Sequence, residues 1–175
     1  MYKVIDNFLE KDLYHRIANE IKGESIPWYF RKTDVRVKNK NAVTKNKNGY
    51  FNFCYYNDYK PDHPLFYPHI TPILKTLNCT ACIHIRSNLY FRDKDCIESK
   101  YHTDFPIDNS TTAIFFLTSC NAKTILKIKN KKVPVNSVEN RMLIFKTTIP
   151  HKVLYQTDVH KRYIINFNYF ENKYV

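Results

Sequence analysis

The chain has 175 residues and a formal net charge of +12, with 28 Lys and Arg against 16 Asp and Glu. This length suits one domain with a sizeable core. No run of 18 apolar residues occurs, which argues against a membrane-spanning helix, and the polar N-terminus lacks the apolar segment of a secretory signal. The positive charge favours acidic partners. An AT-rich coding genome raises the frequencies of Lys, Asn, Ile and Tyr together, and this bias would also explain much of the charge.

The five cysteines are odd in number and lack the spacing of a disulfide framework. Cys79 and Cys82 form a C-x-x-C pair, but no second pair and no nearby His completes a zinc site. We therefore predict a reduced protein in the cytoplasm, not a secreted one.

Two helices are expected in the N-terminal half. Apolar residues recur at every fourth position over 7–21, which predicts an amphipathic helix that supports a sheet. Asn7 and Glu10 are expected to form a capping box at its start, and Gly23 ends it. A second helix is predicted over 66–77.

A basic segment at residues 31–49 separates two predicted strands. The first strand begins near Trp28, and the second covers residues 50–56. The segment has few apolar side chains, so a surface loop or a loose hairpin is expected. Two interpretations remain open: a solvated surface, or a mobile lid that contacts substrate through residues such as Arg36, Lys38 and Lys40.

The C-terminal half is predicted to consist mostly of strands. Short segments of high β-propensity alternate with polar turns, which is typical of a sandwich or a barrel. Only two glycines occur in the chain, so Asn and Asp are expected at left-handed turn positions. The predicted strands cover residues 82–90, 111–118, 124–128, 132–137, 142–146, 151–156 and 162–170.

A candidate metal site involves His102 and Asp104. These residues are two positions apart, so on an extended segment both side chains project from the same face. His151 is the natural third ligand, and two His with one carboxylate leave three positions open on Fe(II). Arg162, in an apolar run, suits bidentate binding of a dicarboxylate. The alternative is that the His-x-Asp pattern of His102 and Asp104 occurs by chance, because the chain has seven His.

The order of these motifs resembles the 2-oxoglutarate/Fe(II)-dependent oxygenases, and most closely their prolyl-4-hydroxylase-like branch. The resemblance is carried by His102-Thr103-Asp104, His151-Lys152-Val153 and Arg162-Tyr163-Ile164-Ile165-Asn166-Phe167. Asn88-Leu89-Tyr90 and the ending Asn168-Tyr169-Phe170 resemble small phage-encoded members, which would act in the host cytoplasm.

This resemblance implies a mainly β (α+β) fold, a double-stranded β-helix (jelly-roll, cupin-like) with N-terminal supporting helices. It implies one oxygenase domain over 1–175, with the helices and basic loop in 1–78 and the jelly-roll core in 79–175. The implied cofactors are Fe(II) and 2-oxoglutarate, with O2 as co-substrate and ascorbate helpful. The implied reaction hydroxylates a C–H bond on a protein or peptide side chain, prolyl by analogy, and yields succinate and CO2.

Site residues follow from the same resemblance. His102, Asp104 and His151 match the iron ligands, and Arg162 matches the residue that binds the far carboxylate of the cofactor. Lys161 is its competitor for that role. The other implied cofactor contacts are Tyr90, Asn88 and, because Phe116 replaces a Tyr of the relatives, Thr112.

Two other functions remain open from the sequence. Oxidation or demethylation of a nucleic acid would suit the charge of +12 and the basic loop, but the chain lacks an extra Arg after Arg162 and an evident base-flipping module. The second open function is that of a non-catalytic jelly-roll that binds a partner. Such a protein would not need to keep all four residues of the proposed site, which are His102, Asp104, His151 and Arg162.

Overall fold

A computed structural model describes residues 1–32, 49–92, 98–105 and 107–171. Helix α1 covers Lys11–Lys22, and a π-helical turn at Phe66–Ile70 leads into helix α2, Thr71–Thr76. The strands are β1 (Tyr2–Ile5), β2 (Tyr29–Arg31), β3 (Tyr50–Asn57), β4 (Lys60–Pro61), β5 (Cys79–Phe91), β6 (Thr111–Phe116), β7 (Cys120–Ile128), β8 (Lys131–Ser137), β9 (Arg141–Lys146), β10 (His151–Leu154) and β11 (Lys161–Glu171).

The strands form two antiparallel sheets, which confirms the predicted jelly-roll. The large sheet has the order β1-β9-β6-β11-β5-β3-β2, with β4 paired to β3, and the small sheet has the order β10-β7-β8. Strands β1 to β4, from the first 78 residues, thus extend the large sheet.

Strand β11 shows how the large sheet separates two cores. Tyr163, Ile165 and Phe167 pack into the cluster that contains the helices. Ile164 projects to the other side and packs into the cluster that includes residues of the small sheet. Because side chains alternate along a strand, Arg162 and Asn166 share this inner face with Ile164.

Helix α1 covers the outer face of the large sheet with Tyr14, Ile17, Ala18 and Ile21. The hydroxyl of Tyr14 donates to the carbonyl of Leu117, 3.1 Å away, and thereby fixes the helix to the end of β6. Within the described ranges, no helix combines the length and the apolar character that crossing a bilayer requires.

The predicted start of α1 is wrong. The helix begins at Lys11, and Glu10 at its N-cap makes no side-chain capping bond. Asn7 has a φ of 50°, outside the helical region, so the expected capping box does not form. The N–H and C=O of Leu9 instead bond to the side-chain amide of Asn140, which holds this segment against the turn before β9.

Asparagine and aspartate do occupy left-handed turn positions, as the scarcity of glycine predicted. These residues tolerate a positive φ because their short polar side chains bond locally to the backbone. The described Asn and Asp residues with φ between 50° and 63° are Asn7, Asp58, Asn78, Asn109, Asn130 and Asn140.

A buried polar chain connects the helices with the large sheet. Nε2 of His69 lies 2.7 Å from a carboxylate oxygen of Glu20, and its Nδ1 lies 3.3 Å from the hydroxyl of Tyr55. A carboxylate only accepts, so Nε2 carries the proton and Nδ1 accepts from Tyr55. Burial lowers the pKa of His69, although the bond to Glu20 opposes this effect.

This lowered pKa predicts a pH-dependent stability. The unfolded chain binds a proton at His69 near pH 6.5 and the folded chain does so only at lower pH, so acidification below about 6.5 favours unfolding. Urea unfolding at pH 7 and pH 5 should therefore show a smaller loss of stability for His69→Gln than for the parent. His15→Gln, at an exposed site on α1, is the matched control. An equal loss in His69→Gln and the parent would contradict this prediction.

Candidate functional site

The predicted metal ligands meet at the edge of the small sheet. His102 and His151 form an antiparallel bridge, with N–H···O distances of 2.9 and 2.8 Å between their backbones. This pairing brings the segment before β6 alongside β10 and places the two imidazole centroids 4.4 Å apart. Asp104 follows two residues after His102, so the chain turns its carboxylate towards both rings.

The candidate ligand atoms of these three side chains all lie within 4.8 Å of one another. Oδ1 of Asp104 is 3.7 Å from Nε2 of His102 and 3.9 Å from Nε2 of His151. Facial ligands of one octahedral ion are about 3 Å apart when each bond is about 2.1 Å. The three atoms therefore fit one metal ion after a small inward movement of the side chains.

Backbone carbonyls orient both imidazole rings. Nδ1 of His102 lies 3.2 Å from the carbonyl of Lys100, and Nδ1 of His151 lies 3.2 Å from that of Ile149. Because a carbonyl only accepts, each Nδ1 carries the proton and each Nε2 offers a lone pair. No pattern in the sequence indicated these two carbonyl partners.

Two asparagines of β11 orient Asp104. Nδ2 of Asn166 and Nδ2 of Asn168 both donate to Oδ2 of Asp104, each over 3.2 Å, which leaves Oδ1 for the metal. The alternation of side chains from Arg162 onwards would have placed both asparagines on the inner face. This pattern could have identified them from the sequence.

The electrostatics keep the ligands in the forms that bind metal. Burial alone would raise the pKa of Asp104, but His151, Arg86 and His102, with the bond from Asn168, lower that pKa to about 2. Burial, reinforced by His151, lowers the pKa of His102. At neutral pH the carboxylate is therefore charged and His102 is neutral.

The role of Asn168 can be tested by metal binding. Asn168→Leu removes a donor to Asp104 at similar volume, so we expect Mn(II) affinity to fall by about 10–100-fold, as is usual when a partner of a metal ligand is lost. Electron paramagnetic resonance of free Mn(II) measures this change. The control Asn136→Leu changes an exposed position on β8. Equal Mn(II) affinity in Asn168→Leu and the parent would show that Asn166 alone fixes the carboxylate.

Arg162 is fully buried at the start of β11 and has no carboxylate partner among the described residues. Its Nε donates to Oγ of Ser137 over 3.2 Å, while Nη1 and Nη2 are buried without a hydrogen bond. The guanidinium carbon lies 5.6 Å from the ring centroid of Tyr90 and 5.8 Å from that of Phe116. A buried unpaired charge is costly, so these nitrogens fit a bound anion.

The competitor Lys161 is exposed, with its side chain on the opposite side of the strand. Tyr90 is the partner of Arg162 in the pairing of β11 with β5, and Asn88 is the partner of Ile164. Tyr90 thus lies beside Arg162, and Asn88 lies between Arg162 and the level of the candidate metal ligands on the inner face of the sheet.

Thr112 lies elsewhere than expected. It is opposite Asn168 in the pairing of β6 with β11, six residues and roughly 20 Å along the strand from Arg162. Its hydroxyl accepts from Asn168 over 3.0 Å and donates to Thr147 over 3.1 Å. This position supports the metal end of the site and not the far carboxylate, and the residue opposite Ile164 on β6 is Phe116.

A pocket opens beside the two histidines. Sequence reasoning missed several of its residues, including Thr124 and Tyr155, whose buried hydroxyls have no hydrogen-bond partner among the described residues. Tyr155 is an even number of residues after His151, a weak signal of the shared face. The predicted substrate contacts Arg36, Lys38 and Lys40 lie outside the described residues. The pocket is lined by Arg86, Asn88, Tyr90, Ser99, His102, Ile114, Thr124, His151, Val153, Tyr155, Ile164 and Asn166.

Comparison with known proteins identifies solved structures that have a similar fold. No family model matches the chain, and no curated protein matches its sequence. Solved structures do match. A 2OG-Fe(II) oxygenase family oxidoreductase from Burkholderia pseudomallei superposes with a TM-score of 0.71 at 8% identity, over 98% of this chain and 85% of that one.

Two prolyl hydroxylases are also similar. The enzyme from Trichoplax adhaerens, solved with a peptide fragment of the hypoxia inducible factor oxygen degradation domain, has a TM-score of 0.65 and 17% identity over 97% of this chain and 83% of its own. A Pseudomonas putida prolyl-4-hydroxylase has a TM-score of 0.63 and 14% identity over 98% and 92%. The chain therefore has the jelly-roll fold of the 2-oxoglutarate- and Fe(II)-dependent oxygenases.

Proposed function

We propose that this protein is an Fe(II)- and 2-oxoglutarate-dependent dioxygenase that hydroxylates a C–H bond of a protein or peptide side chain, with prolyl as the first candidate. The observation that carries the proposal is the pairing of two features on one inner surface. Three candidate metal-ligand atoms converge at one end, and a buried guanidinium with no carboxylate partner among the described residues lies at the other.

The residues have separate tasks in this proposal. His102, Asp104 and His151 hold the iron, and their backbone and asparagine partners keep the ligand atoms directed inward. Arg162 binds the far carboxylate of 2-oxoglutarate through Nη1 and Nη2, while Ser137 fixes the guanidinium through Nε. The rings of Tyr90 and Phe116 exclude water from this ion pair, which strengthens it.

The bound iron and 2-oxoglutarate supply the oxidising chemistry: one atom of O2 enters succinate, formed with CO2, and the other enters the C–H bond of the substrate. The protein's part is to position the substrate and to keep the ligands in their metal-binding forms. Asp104, with a pKa of about 2, stays charged throughout the neutral range.

A peptide substrate is supported by analogy, since the similar Trichoplax enzyme was solved with a peptide. We also propose that the protein is a small phage-type member, on the strength of Asn88-Leu89-Tyr90 and the ending of β11.

The proposed reaction is tested with Fe(II), ascorbate, 2-oxoglutarate and two sets of candidate substrates, a tryptic digest of a proteome and a pool of methylated oligonucleotides. We expect succinate formation, and peptides that gain the mass of one oxygen atom. Modified oligonucleotides alone would support the nucleic-acid alternative, which the net charge of +12 favours. If none of the substrates gives metal-dependent succinate formation, the proposed function is wrong, and the alternative of a non-catalytic binding protein is supported.

A further inference from the structure

A second arginine, Arg86, lies on the inner face of the large sheet at the level of the metal ligands. It is opposite Asn166 in the pairing of β5 with β11, and Asn166 is one of the two residues that donate to Asp104. Arg86 lines the pocket together with His102 and His151. It thus lies at the other end of the inner face from Arg162, four residues along β11.

Arg86 forms no ion pair in the described part of the chain. No carboxylate oxygen of a described residue lies within 4.0 Å of its nitrogens, and its Nε is buried without a hydrogen bond to a described residue. Asp104 acts on Arg86 only from a longer distance, since its Oδ2 is bonded to two asparagines and its Oδ1 faces the histidines. The guanidinium is therefore open to a ligand that brings a carboxylate into direct contact.

Two asparagines that line the same pocket have a buried amide oxygen without a partner. The Oδ1 atoms of Asn88 and Asn166 have no hydrogen-bond partner among the described residues, and the two residues are only 2% and 6% exposed. The orientation of Asn166 is fixed, because the group facing the Asp104 carboxylate must be its NH2 donor. Its Oδ1 is therefore available to accept an N–H from a ligand.

We propose that Arg86 binds a carboxylate of the primary substrate and that Asn166 accepts an N–H next to that carboxylate. The substrate class is then the C-terminal residue of a peptide, or an N-acylated amino acid, held with its C–H bonds beside the metal. A C-terminal proline is excluded, because its acylated nitrogen carries no hydrogen, so the inference selects against the prolyl candidate of the proposed function. Nε with one Nη forms the bidentate donor pair that a carboxylate matches. This inference rests on the proposed function, because it supplies the substrate half of the same pocket.

The test uses protein loaded with Mn(II) and 2-oxoglutarate, and N-acetylglycine as the probe. Paramagnetic broadening of the probe's methylene signal reports binding next to the metal and needs no turnover. We expect broadening with the parent, about tenfold weaker binding of the uncharged N-acetylglycinamide, and about tenfold weaker binding of N-acetylglycine to Arg86→Gln. Arg16→Gln, which removes a positive charge from the half-exposed side chain on α1, should bind as the parent does.

Binding of 2-oxoglutarate to the same samples separates the possible failures. If the parent binds 2-oxoglutarate but does not broaden N-acetylglycine, or if Arg86→Gln broadens it equally, the inference is overturned and the proposed function stands. If Arg86→Gln loses 2-oxoglutarate affinity, Arg86 serves the cofactor and the inference is also overturned. If the parent binds no 2-oxoglutarate, the proposed function itself fails.

Discussion

Asp104→Asn is expected to abolish metal-dependent succinate formation and to weaken Mn(II) binding by at least about 100-fold. The substitution keeps the side-chain volume but removes the only carboxylate among the three proposed ligands. Loss of an orienting partner alone typically costs 10–100-fold in metal affinity, and loss of the charged ligand should exceed this range. Calorimetric titration with Mn(II) in the absence of oxygen measures the effect.

The matched control is Asp108→Asn, which removes the same charge from an exposed turn close to Asp104. We expect its Mn(II) affinity and its succinate formation to equal those of the parent. If Asp104→Asn binds Mn(II) as tightly as Asp108→Asn does, the three side chains are not the metal site, and the proposed function loses its basis.

Arg162→Gln should reduce the affinity for 2-oxoglutarate by about 30-fold or more and leave Mn(II) binding nearly unchanged. Loss of a buried charge partner costs about 2–5 kcal/mol, and the lower end of this range corresponds to about 30-fold. The guanidinium is fully buried, and its Nη1 and Nη2 form no hydrogen bond with a described residue, so the substitution removes no hydrogen bond of these two atoms to the described protein. Displacement calorimetry on the Mn(II)-loaded protein separates the two affinities.

Lys161→Gln is the control for charge at the neighbouring position, where the side chain is exposed. It should bind 2-oxoglutarate like the parent. If Lys161→Gln shows the larger loss, the cofactor approaches from the outer side of β11, and the burial of Arg162 would need another explanation.

The strands and the metal ligands could be predicted from sequence because each has a local signal. Alternating apolar residues with polar turns indicated most strands, and His-x-Asp placed two ligands on one face. Strand β1 was missed because it is four residues long and mostly exposed, so it lacks an alternating pattern. The start of α1 was wrong because Asn140, 131 positions from Leu9, holds the segment that the local pattern assigned to the helix.

The supporting contacts of the site could not be predicted, since they depend on strand register. Thr112 was expected beside Arg162, but the pairing of β6 with β11 places it opposite Asn168. A shift of two residues would have changed its neighbours without changing any local pattern. Arg86 has no local signal of a binding role in the sequence, because the lack of an ion-pair partner is a property of the folded chain.

The buried guanidinium of Arg162 also links the stability of the protein to its ligand. A ligand that binds only the folded state adds about 2.7 kcal/mol of stability when its free concentration is 100 times its dissociation constant. Nη1 and Nη2 of Arg162 are buried without a hydrogen bond to a described residue, so a bound dicarboxylate adds contacts that the free protein lacks. Saturating 2-oxoglutarate should therefore raise the unfolding temperature of the protein and slow its digestion by a protease.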